Sequence, residues 1–161
     1  MQISIRDAEQ SDLPAVLTLM RALADHEGLA RYFQLTQDTL QECCLRNPKR
    51  FHLLVAASET AVIGYATYMF QFSPWAVREY LFLDDIYVAV EARRGGVGSR
   101  LMQRLAEIAL EHDVDVRWHV EPDNQSAFMF YVGLAAELRA KFITYWSREA
   151  MRLMLESKRF D

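Results

Sequence analysis

Residues 81–109, LFLDDIYVAVEARRGGVGSRLMQRLAEIA, leave a folding chain few options. They open with apolar, β-branched and aromatic side chains, pass through a basic glycine-containing turn, and resume with Val97, Leu101, Leu105 and Ile108 at helical spacing. The pattern predicts a strand, a loop and a helix. In the loop, Arg93-Arg94-Gly95-Gly96-Val97-Gly98 removes side chains where the backbone must come close to a ligand, so several N–H groups can point outward at a helix N-terminus. Such a terminus suits a phosphate. The order is R-x-x-G-x-G, which is neither the dinucleotide fingerprint G-x-G-x-x-G nor the lysine-containing P-loop.

The rest of the chain sets bounds on what that unit can belong to. With 161 residues, 52% of them apolar and 25% charged, one domain spanning residues 1–161 is expected, with a core that needs neither disulfides nor metal. A net charge of −4 argues against a sequence-independent nucleic-acid binder and favours a cationic partner. Cys43 and Cys44 are adjacent, a poor geometry for a disulfide, and the four histidines are scattered, so no metal site is expected. No apolar run approaches the roughly 20 residues of a membrane span, and the N-terminal sequence lacks signal-peptide features. A cytoplasmic protein that does not engage membranes is the expectation.

Taken in order, residues 2–6 alternate as a short strand, and Val16, Leu17, Met20, Leu23 and Ala24 mark one face of a helix that Ser11 or Asp12 can cap and Gly28 can end. Residues 37–45 form a second helix, stopped by Asn47-Pro48. Strands at 51–57 and 61–70 form a hairpin, in which Gly64 marks a bulge, a close backbone approach or a packing gap. Residues 71–79 read as a loop whose Trp75 either caps the core, the favoured alternative, or walls a cleft. Asp84 and Asp85 then interrupt an apolar strand, as happens where function overrides foldability. Strict alternation sends them to opposite faces, so both are not expected in one cleft. A right-handed crossover leads to a strand at 114–120, then a turn, a helix at 125–132, a last strand at 142–147 and a terminal helix at 148–157.

The loop, together with Ile5-Arg6-Asp7-Ala8, Leu23-Ala24-Asp25-His26-Glu27 and Ile63-Gly64-Tyr65-Ala66, resembles the GNAT superfamily of N-acetyltransferases. More narrowly, Ser73-Pro74-Trp75, Tyr80-Leu81-Phe82-Leu83-Asp84-Asp85 and residues 124–131 resemble its diamine (spermidine/spermine) and thialysine acetyltransferases. The resemblance implies an α/β GNAT fold: a mixed, mainly antiparallel sheet with splayed central strands and helices on both faces. It implies acetyl transfer from the cosubstrate acetyl-CoA to a primary amine of a small cationic molecule, by direct attack in a ternary complex. Ile86, Tyr87 and Val88 pair with the pantetheine arm on this reading, with a backbone N–H near Val88, at a splay or bulge, serving the thioester oxygen. Arg93, Arg94, Gly95, Gly96, Val97, Gly98 and Ser99 serve the pyrophosphate, and Asn124, Ser126 and Ala127 line the thiol end. Tyr131 protonates the leaving thiolate. His26, Glu27, Trp75 and Asp84 contact the amine, Asp84 assisting its deprotonation through water, while Asp85 is left a structural role.

The chain departs from the pattern in having Ala135 where the superfamily usually has glycine, Asp123 where the polyamine enzymes carry tryptophan, and Gly28 where they tend to an aromatic. The alternatives are an acetyltransferase for an amino acid, an aminoglycoside or a protein N-terminus, and a non-catalytic acyl-CoA sensor. A homodimer is expected from the resemblance and from the apolar residues at 151–155.

Overall fold

A computed structural model of the chain describes residues 2–139 and 141–157. The chain divides into two compact units, Met1–His119 and Val120–Asp161. The first holds a five-stranded sheet in the order β1 (Ser4–Asp7), β2 (His52–Ala57), β3 (Val62–Ser73), β4 (Arg78–Val88) and β5 (Val116–Trp118). Neighbours are antiparallel except β4 and β5, which are parallel and joined by helix α3 (Val97–Glu111). That connection is the expected crossover.

Helix α1 (Leu13–His26) begins with Pro14 in its first turn, where a missing N–H costs nothing. Asp12 stands before it but does not cap it: its carboxylate takes a two-pronged contact from Arg6, at 2.6 and 2.9 Å, and the Glu9 N–H at 2.8 Å. The Arg6 guanidinium holds the Asp12 carboxyl below its ordinary range. Gly28 ends this segment with φ 70, the left-handed conformation that glycine adopts freely. Helix α2 (Gln37–Cys44) is capped by the Thr36 hydroxyl, which accepts the Thr39 N–H. Leu13, Val16 and Met20 of α1 pack with Leu40 and Cys44 of α2 against Leu53, Val55, Tyr65 and Tyr87 of the sheet. Because strand side chains alternate, Leu54 and Ala56 face the other way, where α3 lies against β2, β3 and β4. The sheet is therefore covered on both faces.

Two irregularities shape it. Between β2 and β3 the register slips after Ala56↔Gly64, so that Ala57 faces Val62. A methyl group on Gly64 would sit 2.9 Å from the Tyr87 carbonyl oxygen, which makes the close backbone approach the reason for this glycine. Between β3 and β4, Thr67 faces Asp85 while Tyr68 faces Leu83, leaving Asp84 as the extra residue of a β-bulge. The expected irregularity near Val88 is thus at Asp84 instead, and the register from Asp85 to Val88 is continuous. Pairing with β5 runs only over Leu81–Leu83, so β4 parts from its neighbour where the bulge begins.

Several other expectations change. The hairpin of β3 and β4 is longer than its apolar core, and only residues 74–77 turn. Trp75 at that tip is 97% exposed, so it does not cap the core. The strand expected at 114–120 shortens to Val116–Trp118. In the second unit, helix α4 (Gln125–Gly133) and helix α5 (Arg148–Ser157) form as expected, but 142–147 is not a strand. A strand requires a partner's backbone, and among the described residues none is paired with this stretch.

Candidate active site

The bulge decides the site. Opposing two residues of one strand to a single residue of its partner breaks the period-two alternation, and both Asp84 and Asp85 line one cavity of about 310 Å³. The expectation that they could not share a cleft is corrected here. It rested on an unbroken pleat. The cavity's other walls come from α1 (Met20, Leu23 and Glu27), from the segment after it (Leu29, Phe33 and Leu35), and from Phe51, Tyr65 and Thr67 of the sheet side. Its character is an apolar sleeve with three carboxylates on it.

Each polar group has a distinct setting. The Thr67 hydroxyl oxygen accepts the Asp85 N–H at 3.1 Å, fixing the backbone at the bulge. Burial, and then the neighbouring carboxylates of Asp84 and Glu27, push the Asp85 carboxyl up to about 6. A carboxylate tuned this way is a more effective proton acceptor near neutral pH than an ordinary one. Asp84 is exposed and Glu27 stands at the C-terminus of α1, also exposed. Sequence reasoning gave Asp85 a structural role. Its placement in the cavity depends on the register of β3, which no local pattern announces. Tyr65, buried completely, also lines the cavity and was not singled out from the sequence. His26 and Trp75 are exposed and are not among the lining residues.

A second feature is the N-terminus of α3. Gly96 stands before it with φ 75 and Arg94 with φ 63, two left-handed residues that turn the chain sharply into the helix. The first intrahelical bond runs from the Arg100 N–H to the Gly96 carbonyl at 3.1 Å, so the N–H groups of Val97, Gly98 and Ser99 precede the helical ladder. N–H groups left outside the ladder at a helix N-terminus, with the helix dipole, suit an anion. Arg93 points elsewhere: its Nε donates to the Val88 carbonyl at 3.1 Å and its guanidinium lies over the Tyr87 ring. Arg94 is exposed beside the loop. Ile86, Tyr87 and Val88 lie on β4 beyond its pairing with β5, so this part of the strand has an edge that β5 does not occupy. A splayed strand edge leading toward a helix N-terminus fits an extended, phosphate-bearing arm.

The remaining expected residues lie on the second unit. The Asn124 side chain caps α4 by accepting the Ala127 N–H at 3.0 Å, and Ser126 is exposed in the first turn. Tyr131, buried on the same helix, has its hydroxyl pKa raised by burial, so it is a protonated phenol at neutral pH. Among the described residues no group of three or more His, Cys, Asp or Glu is arranged to hold a metal ion.

Comparison with known proteins gives the chain its relatives. The acetyltransferase (GNAT) family model matches residues 15–134. A thialysine N-epsilon-acetyltransferase of Bos taurus is 32% identical over 144 residues, 84% of each chain. A spermidine/spermine N(1)-acetyltransferase-like protein of Homo sapiens is 30% identical over 146 residues, covering 82% of this chain and 20% of its own. Among solved structures, an integron cassette protein from the mobile metagenome of V. cholerae has a TM-score of 0.76 at 20% identity, over 96% of this chain and 98% of its own.

Proposed function

This chain belongs to the GNAT family of acetyltransferases, and we propose that it acetylates a primary amine of a small dicationic or polycationic aliphatic molecule, such as a diamine, a polyamine or thialysine. The observation that carries this reading is the cavity in which Glu27, Asp84 and Asp85 face apolar walls from Met20, Leu23 and Phe33. Alkyl chain and ammonium groups have their complements there.

Acetyl-CoA supplies the acetyl group, as it does across the family. The N-terminus of α3, with the N–H groups of Val97, Gly98 and Ser99 and the charge of Arg94, holds the pyrophosphate, and Gly95 and Gly96 keep that approach open. The backbone of Ile86, Tyr87 and Val88 holds the pantetheine arm, and Asn124, Ser126 and Ala127 line its thiol end. A backbone N–H near Val88 stabilises charge on the carbonyl oxygen. Arg93 orders this segment through Val88 and Tyr87 rather than by meeting a phosphate.

An alkylammonium loses its proton only near pH 10, so the amine needs a proton acceptor before it attacks in the ternary complex. Asp84 and Glu27 draw the cation in, and Asp85 takes the proton directly or through water. Tyr131 donates its proton to the departing thiolate. Free thiols at Cys43 and Cys44 suit the cytoplasm, and no helix among the described residues is long and apolar enough to cross a membrane.

The test is CoA-thiol release from acetyl-CoA across diamines, polyamines, thialysine, lysine, an aminoglycoside and short peptides. Turnover concentrated on the aliphatic polycations is expected. Turnover confined to the peptides or the aminoglycoside rejects the substrate class.

A further inference from the structure

We propose that the hydroxyl of Tyr65 is a specificity-determining group that accepts a hydrogen bond from the non-reacting ammonium of a diammonium substrate in the carboxylate-lined cavity. The proposal rests on the amine site described above and adds to it a residue and a second binding point. Tyr65 is fully buried, and its hydroxyl is a buried side-chain oxygen with no hydrogen-bond partner among the described residues. Its ring needs no hydroxyl for its packing: it sits in the core with Val16, Met20, Leu53 and Val55, 6.4 Å from the Tyr87 ring. Phenylalanine would fill that place equally well. A buried hydroxyl left unpaired is costly, so a partner that arrives with the substrate accounts for it.

The surroundings specify that partner. Tyr65 lies two residues from Thr67 on β3, on the same face, and faces Tyr87 across the ladder while Thr67 faces Asp85. Burial, and then Asp85, Glu27, Tyr87 and Asp84, push the phenol pKa up, so the group is a neutral hydroxyl in an anionic cavity. A neutral hydroxyl offers its lone pairs to an N–H donor. The attacking amine must become neutral; a second amine keeps its charge and its three donors. Three carboxylates around one cavity exceed what a single cation balances, and Tyr65 supplies the further acceptor that an ammonium head requires.

Calorimetric titration of the CoA-saturated protein with pentane-1,5-diamine, its N,N-dimethyl derivative and pentylamine tests this without depending on turnover. The wild type is expected to bind the diamine roughly tenfold more tightly than the dimethylated form, which keeps the charge but loses two donors. Tyr65→Phe is expected to lose about tenfold in diamine affinity with pentylamine little changed, and to melt no lower than the wild type. Equal weakening of both amines in Tyr65→Phe, or no weakening, overturns the proposal, as does wild-type indifference to dimethylation. Asp84→Asn and Asp85→Asn separate the two levels. If neither weakens the diamine, the amine site itself is wrong; if either does while Tyr65→Phe does not, only the role of Tyr65 falls.

Discussion

A carboxylate whose proton is held up to about 6 carries two consequences that can be measured separately. The groups facing Asp85 are Asp84 on its own strand, Glu27 from α1, and Tyr65 and Thr67 from β3, none of them cationic. If Asp85 is the proton acceptor, acetyl transfer is expected to rise with pH through an apparent value near 6, and Asp85→Asn is expected to remove that limb of the kcat/KM profile. A wild-type profile flat from pH 5 to 7.5 rejects the role. For stability the sign is opposite to that of a salt-bridged acid. The folded pKa lies above the unfolded value near 4, so Asp85 costs nothing below pH 4, destabilises increasingly from 4 to 6, and exerts its full cost above that. Asp85→Asn is then expected to stabilise the protein at pH 8 by about 1–2 kcal/mol and to leave it unchanged at pH 3.5, read from denaturant midpoints. At the hairpin tip another residue is strained outright. Val77 is β-branched, exposed, and held at φ 51, where L-residues lose roughly 1–2 kcal/mol. Val77→Gly loses little packing and is expected to raise the melting temperature by about 3 °C; a lower one would mean the side chain packs in solution.

Elements divide into those whose cause is local and those whose cause lies across the sheet. Helices α1, α3 and α4 were legible because capping, glycine termination and the 3.6-residue period are written within each segment. The β4–α3–β5 crossover followed from order alone. The bulge at Asp84 was not legible, since it is a mismatch in count between two strands and appears only once Thr67 is known to face Asp85 and Tyr68 to face Leu83. That single slip is why strict alternation sends the two acids to opposite faces while both line one cavity. Trp75 was misplaced because an aromatic in a turn has no period to reveal which way it faces, and 142–147 because aromatic content permits a strand without providing its partner. Gly64 shows how a residue with several readings is settled by a neighbour: the Tyr87 carbonyl leaves no room for a methyl group. Gly64→Ala is expected to force β3 and β4 apart where β4 leaves β5, costing about 1–3 kcal/mol of stability. It should also weaken acetyl-CoA binding, because Tyr87 and Val88 move with that strand. Unchanged affinity would separate the strand edge from the cofactor.

At the scale of the molecule, the apolar surface of the second unit is the feature that a lone chain does not use. Phe142, Ile143, Tyr145 and Trp146 are exposed in a stretch without regular secondary structure but rich in residues that favour strands, and Leu153 and Leu155 are exposed on α5. So many large apolar side chains between Phe142 and Leu155 exceed the scattered exposure of an ordinary monomer surface. A second copy of the chain offers what this stretch lacks, apolar cover and a strand partner, in an isologous arrangement where both copies gain alike. The net charge of −4 is small enough not to oppose the association at physiological ionic strength. We expect sedimentation at micromolar concentration to give about twice the 18.7 kDa of the chain. Replacing Phe142 and Tyr145 together by serine is expected to shift it to the monomer. A wild-type monomer at those concentrations rejects the dimer. A dimer that survives the double substitution places the interface elsewhere, leaving the exposed aromatics for another partner.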